Sequence, residues 1–87
     1  MHAVVVRVKL EDIEAARRAL NEQVVPELSQ APEFVTGYWA LKGDSGVGMI
    51  VFESEDAASA IIPRLGSLTP EALTFEDIDV YEVEAHA

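Results

Sequence analysis

The sequence predicts a single α+β domain over residues 1–87, with the element order β-α-β-β-α-β. Three observations support this prediction. Residues 33–54 form two β-prone runs around a glycine-bounded turn, which is typical of a β-hairpin. Two stretches on either side of the hairpin carry apolar residues at every third or fourth position, which predicts helices. Alternating apolar runs near both ends of the chain predict two further strands.

The first strand and the first helix occupy residues 2–30. Residues 2–10 alternate with one fully apolar face, and residues 11–30 follow with helical periodicity. Pro26 lies inside the helical pattern, where it removes one backbone hydrogen bond and crowds the preceding turn. We therefore expect a kink or a break near residues 22–25, and we expect Ala31-Pro32 to end the helix.

Both faces of the hairpin are largely apolar. Alternate residues separate the two faces, and pairing across the turn extends each face into the next strand. The first face carries Val35, Gly37, Trp39, Leu41, Ile50 and Phe52. The second face carries Phe34, Thr36, Tyr38, Ala40, Met49 and Val51. We assign the turn to residues 43–46, which lack the lysine and the following helix of a phosphate-binding loop.

The second helix and the last strand complete the chain. Ser54 is a typical helix N-cap, and apolar residues continue after it at helical spacing as far as Leu65. Gly66 is a natural helix stop, so we expect a loop at residues 67–73, with one possible helical turn at residues 69–71. Residues 74–85 alternate well enough to form the last strand.

This order of elements predicts a ferredoxin-like fold. Two β-α-β units with right-handed crossovers give a four-stranded antiparallel sheet, in the strand order 4-1-3-2, with both helices on one face. The face without helices would carry Phe34, Tyr38, Met49, Val51, Val5 and Tyr81. An apolar patch of this size usually marks an interface, so we expect a homodimer in which two sheets pack face to face.

The composition excludes several classes of partner. Sixteen acidic residues against six basic ones give a net charge of −10, which repels nucleic acid and anionic membranes. No apolar run approaches the roughly 20 residues of a membrane span. The chain has no cysteine and no signal-peptide pattern, so we expect a cytoplasmic protein without disulfides or thiolate sites.

The first and last strands bring a charged and an aromatic side chain together in the predicted sheet. If Ala3 pairs with Ala85, then Arg7 lies opposite Tyr81 on the face without helices. Arg7 and Tyr81 could then bind a carboxylate or another anion inside the dimer. Alternatively, Arg7 could pair with an acidic side chain of the partner subunit.

The same register places His2 beside His86, with Glu84 near them. Two imidazoles and a carboxylate could hold a divalent metal. Alternatively, these residues belong to frayed chain ends that are exposed to solvent, which is common near chain termini. No local metal-binding spacing supports the first interpretation, so we expect no metal site.

Two segments carry a resemblance to a known family: A-P-E-F-V-T-G-Y-W in the second strand, and M-I-V-F-E-S-E-D-A-A at the entry to the second helix. With them the chain resembles the dimeric α/β-barrel superfamily, in particular its antibiotic-biosynthesis-monooxygenase-like branch. The resemblance implies a homodimer whose sheets form a β-barrel, with a small-ligand pocket between sheet and helices in each subunit. Enzymes of this family include cofactor-free oxygenases of polycyclic aromatics and haem-degrading oxygenases.

The features of the haem-degrading members are missing. Phe52 replaces their tryptophan before the second helix, and valines replace their asparagine on the helix-facing side of the first strand. Their iron-ligating histidine has no counterpart, because the second helix contains no histidine. We therefore expect no haem and no other cofactor.

Trp39 and Phe52 are the central candidates for a ligand site. They share one face of adjacent strands, where they could form the wall of an aromatic pocket or simply pack in the core. Tyr38, Trp39 and Asn21 are polar side chains whose type suits a cofactor-independent oxygenase. Three functions remain open: binding of a small aromatic or apolar ligand, which the scarcity of catalytic side chains favours; oxygenation of an aromatic or polyketide-like substrate; and a structural or regulatory oligomer.

Overall fold

The computed structural model describes residues 1–68 and 73–87 of the chain. Its elements are β1 (His2–Leu10), α1 (Ile13–Ala19), a π-helical segment (Leu20–Val24), α2 (Val25–Ser29), β2 (Phe34–Lys42), β3 (Ser45–Phe52), α3 (Glu55–Leu68) and β4 (Leu73–Glu82). The strands form one sheet in the order β2-β3-β1-β4, and every neighbouring pair is antiparallel. This order is 4-1-3-2 counted from the other edge, so the predicted ferredoxin-like fold is confirmed.

The core lies between the helices and one face of the sheet. The strands contribute Val4, Ile50 and Phe52, and the helices contribute Leu28 and Ala58, all of which are fully buried. Alternation along the strands therefore directs one apolar set toward the helices. The opposite side of the sheet, which we call the open face, carries no helix. None of the described helices is long and apolar enough to cross a membrane.

The first helical region changes its geometry where proline disturbs it. The π-helical segment lies between α1 and α2, and the backbone N–H of Val25 donates to the carbonyl of Leu20, five residues earlier. Pro26 follows at the start of α2. Because Pro26 has no N–H to donate, the turn before it can widen without losing a hydrogen bond that an α-helix would have made. The irregularity predicted for residues 22–25 thus occurs at residues 20–24, as a π-helical turn.

α3 begins as the sequence predicts and ends later. The Ser54 hydroxyl accepts the backbone N–H of Ala57 at 3.1 Å, which confirms Ser54 as the N-cap. The helix then continues through Pro63 and Gly66 to residue 68, so the predicted stop at Gly66 is wrong. Gly66 does not take the left-handed φ of a C-cap, and one glycine inside a helix costs only about 1 kcal/mol. The helical turn expected at residues 69–71 lies outside the described residues.

The hairpin turn is tighter than predicted. It consists of Gly43 and Asp44 alone, because Lys42 already pairs with Ser45 across the turn. Gly43 has a φ of 60°, the left-handed value that the first position of such a two-residue turn requires. The assignment of residues 43–46 to the turn is therefore wrong, and Gly46 belongs to β3.

A bulge at the start of β2 changes the face of one aromatic residue. The register with β3 shifts between Phe34 and Thr36, so Phe34 pairs with Phe52 on the helix side of the sheet. The two rings meet edge to face, with centroids 6.2 Å apart. The prediction that Phe34 lies on the open face is wrong, because the bulge adds one residue that simple alternation does not count.

The pairing of β1 with β4 also differs from the prediction. Arg7 lies opposite Asp77 instead of Tyr81, which is a shift of four residues, and Tyr81 lies opposite Ala3. A shift by an even number leaves Ile78, Val80 and Tyr81 on the faces that alternation assigns. A bulge between Arg7 and Val8 then places Phe75 opposite Val8 on the helix side, which simple alternation from Ile78 does not predict.

Candidate functional site

An apolar cleft opens between the sheet and the first helical region. The space between its walls measures about 610 Å³, counted out to the solvent at its mouth. The enclosed part of this space is much smaller and has room for a few water molecules. The enclosed part therefore suits a ligand of about two fused rings, and a larger ligand would extend through the mouth.

Two glycines of β3 lower the floor of the cleft. Gly46 and Gly48 face the helices, and a side chain at either position would collide with β1. A Cβ atom on Gly46 would lie 2.7 Å from Val8 Cγ2, and one on Gly48 would lie 2.8 Å from Val6 Cγ2. Glycine inside a strand often marks a place where another group approaches the backbone closely. Here the two glycines let side chains of the neighbouring strands pack directly over the backbone of β3.

Trp39 lies flat over two glycines of neighbouring strands. A Cβ atom on Gly37 would lie 2.7 Å from Cη2 of its benzene ring, and one on Gly48 would lie 3.0 Å from Cδ1 of its pyrrole ring. Gly48 lines the cleft and Gly37 does not, so the pyrrole ring with its N–H is the end of the indole at the cleft. Among the hydrogen bonds of the described residues, none is donated by Trp39 Nε1.

The π-helical segment forms part of the wall that faces the sheet. Leu20 and Val24 line the cleft from this segment, and Ala16 lines it from α1. Residues four apart lie on the same side of a helix, so this wall presents a continuous apolar stripe. π-Helical turns within α-helices occur frequently at functional sites, and this one lies directly over the cleft.

The cleft offers very little polar chemistry. None of the described residues that line it is charged, and the Trp39 indole N–H is the side-chain hydrogen-bond donor among them. Asn21, a polar candidate from the sequence, does not line the cleft; its amide donates to the carbonyl of Arg17 at 2.8 Å on the exposed side of the helix. Within the described residues, the cleft therefore has no side chain that could act as a general acid or base.

The structure separates the site residues predicted from the sequence. Trp39 lines the cleft, whereas Phe52 is fully buried in the core and does not line it. Tyr38, Arg7 and Tyr81 lie on the open face, on the other side of the sheet. A role of these three residues in ligand binding stays a prediction, and it would concern a surface distinct from the cleft.

Sequence reasoning missed Gly46 and Gly48 as floor residues. Both alternate with larger residues in β3 and share the face of Ile50, and this alternation is visible in the sequence. If Gly46 is assigned to a four-residue turn, its position beside Gly48 on one face of β3 is overlooked. Two glycines at alternate positions of one strand face are the signal that predicts a lowered floor.

The open face carries a separate apolar patch. Tyr38 is 70% exposed, Tyr81 is 55% exposed and Met49 is 44% exposed. Val51, which the sequence also places on this face, is buried among its neighbours. Arg7 lies on the same face and forms no ion pair with any described residue.

His2 lies beside acidic groups in a different arrangement from the predicted one. It pairs across the sheet with Glu82 rather than lying next to His86, and its Nε2 atom is 3.4 Å from Glu55 Oε2. No group of three or more histidine, aspartate or glutamate side chains among the described residues is placed to hold a metal ion. The register that suggested a metal site is thus wrong.

Solved structures of other proteins share this architecture. SnoaB, a cofactor-independent oxygenase from Streptomyces nogalater solved as a variant, matches with a TM-score of 0.74 and 17% identity, over 98% of this chain and 94% of that chain. HapK from Hahella chejuensis matches with a TM-score of 0.71 and 11% identity, over 100% and 96%. A monooxygenase from the gene ActVA-Orf6 of Streptomyces coelicolor, in complex with nanaomycin D, matches with a TM-score of 0.63 and 16% identity, over 99% and 89%. The chain has the fold of these proteins.

The likeness is structural. No family model matches the sequence, and no curated protein matches it. At identities of 11–17%, the similarity establishes a shared fold, and one fold supports many activities. At this level the solved structures support the ferredoxin-like fold that the sequence predicts.

Proposed function

We propose that the chain binds a small, flat aromatic or apolar molecule in the cleft between the sheet and the first helical region. The observation that carries the proposal is the lining: it is apolar throughout the described residues, and Trp39 lies flat at its floor. Each Å² of apolar surface that a ligand buries there contributes about 25 cal/mol. The likeness to the ActVA-Orf6 monooxygenase, whose structure holds nanaomycin D, supports a ring-shaped ligand.

Trp39 is the only tryptophan of the chain, so its fluorescence reports directly on the cleft. We expect two-ring and three-ring aromatic compounds to quench this fluorescence and to reach saturation. Gly48→Ala should weaken binding roughly tenfold or more, because overpacking costs about 1–3 kcal/mol and the new methyl group displaces the indole.

Gly66→Ala is the matched control for this experiment. It makes the same chemical change at a glycine of α3, where the new methyl group would meet no atom within 4 Å, so affinity should not change. Linear quenching without saturation in the unmodified chain would contradict the proposed ligand site. Equal affinity in both glycine variants would show that the ligand binds elsewhere.

A second candidate is cofactor-independent oxygenation of the bound ligand, which the likeness to SnoaB favours. Without a cofactor, the ligand itself must supply the electrons that reduce O₂, so it must be an electron-rich phenol that forms an anion by losing its proton to water at the mouth of the cleft, because the described lining has no base. Within the described lining, the Trp39 N–H is available to stabilise that anion. Oxygen uptake with polycyclic phenols, above the rate without protein and lost in Trp39→Phe, would support this candidate; saturable binding without oxygen uptake would count against it.

We also propose that two copies of the chain associate through their open faces, in the cytoplasm. The support is the exposed apolar patch of Tyr38, Tyr81 and Met49, which a second sheet would cover. This interface lies on the opposite side of the sheet from the cleft, so both clefts stay accessible in a dimer. An oligomer with a purely structural role has less support, because a solidly packed interior would not leave a cleft beside Trp39.

A further inference from the structure

We infer that Trp39 determines which ligands the cleft accepts: it selects flat, uncharged molecules that present a hydrogen-bond acceptor, such as a ring ketone, to its Nε1 atom. This inference rests on the proposed binding function of the cleft and goes beyond it by assigning specificity to one atom.

The first step of the argument is the fixed position of the indole. Gly37 supports its benzene ring and Gly48 supports its pyrrole ring, and the absence of both side chains is what permits this position. A Cβ atom on Gly37 would come within 2.7 Å of the ring. One face of Trp39 is therefore occupied by the sheet, and the pyrrole end is the part of the indole that reaches the cleft. A flat ligand can lie against this end, whereas a branched one would meet the walls.

The second step concerns the unpaired donor. Trp39 Nε1 donates no hydrogen bond to any described residue, and it lies at the cleft end of the ring. A ligand that seals the cleft without an acceptor would remove this N–H from water and leave it unsatisfied. A ligand with a correctly placed carbonyl oxygen would satisfy it. We expect the second kind of ligand to bind about fivefold more tightly than an otherwise equal molecule of the first kind.

The third step concerns charge. The described lining contains no lysine, arginine or histidine, and the chain as a whole carries a net charge of −10. A carboxylate in the cleft would lose its hydration and gain a single hydrogen bond in return. The acidic surface would also repel it during approach. We therefore expect an anionic ligand to bind at least about tenfold more weakly than the ketone.

Three naphthalenes of nearly equal size test the inference: 2-acetonaphthone, 2-ethylnaphthalene and 2-naphthoate. Equilibrium dialysis measures their binding without relying on tryptophan fluorescence, so it also serves for Trp39→Phe. The unmodified chain should prefer the ketone about fivefold over the ethyl compound, and it should bind the naphthoate most weakly. Trp39→Phe keeps an aromatic surface and removes the N–H, so it should bind the ketone and the ethyl compound equally.

Ser59→Ala is the matched control, because it removes one hydrogen-bond donor from an exposed residue of α3 that does not line the cleft. It should preserve the preference for the ketone. In the unmodified chain, the single indole N–H resonance should shift downfield with the ketone and stay near its position with the ethyl compound; this measurement decides the question even if Trp39→Phe folds poorly.

The possible outcomes distinguish the inference from the proposed function. If the compounds bind but Trp39→Phe still prefers the ketone, or if the indole N–H does not shift, Trp39 does not select the acceptor and the binding function stands. If the naphthoate binds as tightly as the ketone, selection against charge is wrong. If none of the three compounds binds, the proposed function fails together with this inference.

Discussion

Glu33 holds a backbone conformation that glutamate seldom adopts, with a φ of 63°. Its carbonyl accepts the backbone N–H of Glu53 at 3.0 Å, and its carboxylate accepts the hydroxyl of Ser54 at 3.2 Å. The residue thus joins the chain before β2 to the chain before α3. A left-handed conformation costs a residue with a β-carbon about 1–2 kcal/mol, so the connection is made at the expense of local strain.

We expect the free energy of unfolding of Glu33→Gly to exceed that of Glu33→Ala by about 0.5–1 kcal/mol, because relief of the strain exceeds the entropy lost by glycine on folding. Glu33→Ala keeps the β-carbon and removes the carboxylate, so it should lower the free energy of unfolding by about 0.5 kcal/mol or less. Urea unfolding followed by circular dichroism measures both. Equal destabilisation by both variants would show that the carboxylate matters more than the backbone strain.

At the scale of single residues, alternation predicted some positions and failed at others. It placed Trp39 on the helix side, where the structure has it, because no irregularity intervenes between Trp39 and the turn. It placed Phe34 on the wrong face, because a bulge lies between Phe34 and Thr36. A bulge adds one residue to a strand and reverses the faces beyond it, and nothing in the local composition announces it.

The π-helical segment before Pro26 forms part of the cleft wall, so the shape of the cleft depends on the geometry of this segment. Pro26→Ala restores a backbone N–H that can bond to the carbonyl of residue 22, so the π-helical turn should become α-helical. This change would rotate Leu20 and Val24 relative to the sheet and narrow or close the cleft wall that they form. We expect ligand affinity to fall severalfold while the fold persists, as measured by Trp39 fluorescence titration and far-ultraviolet circular dichroism.

Pro63→Ala is the control for this prediction, because Pro63 also lies inside a helix and its side chain is exposed. It should raise the free energy of unfolding by about 1–3 kcal/mol, since proline in a helix interior is unfavourable, and it should leave ligand affinity unchanged. A loss of affinity in Pro63→Ala as large as that in Pro26→Ala would mean that the cleft responds to helix stability in general.

Periodicity predicted which elements exist and left their ends uncertain. β1 has the predicted bounds because an acidic segment follows its last apolar residue, Leu10. α3 passes Gly66 because Ile61 and Leu65 are packed against the sheet, and this packing outweighs the cost of one exposed glycine. Helix-ending signals act locally, whereas the packing that overrides them is tertiary.

For the whole molecule, the order of the elements leaves few possible topologies, because β-α-β connections are right-handed. The strand order could therefore be predicted although the register of β4 could not. Arg7 was placed opposite Tyr81 and lies opposite Asp77 instead, and both arrangements satisfy the same apolar pattern. The cleft could be predicted only as a region, since its depth depends on Gly46, Gly48 and the π-helical segment together.

The proposed dimer depends on the open face. Met49 lies there with 44% of its surface exposed, next to Tyr38 across the strand pair. Light scattering on a sizing column should give the mass of a dimer over a wide range of concentrations. Met49→Asp should give a monomer, because a buried carboxylate without a partner costs several kcal/mol at the interface.

Ser59→Asp adds the same charge on the exposed surface of α3 and should leave the dimer intact. Because each chain carries a net charge of −10, two copies repel one another, and added salt should strengthen the dimer by screening this repulsion. A dimer that survives Met49→Asp would place the interface elsewhere on the molecule. A monomer at every concentration and salt would contradict the proposed dimer, because the patch of Tyr38, Tyr81 and Met49 would then stay exposed to water.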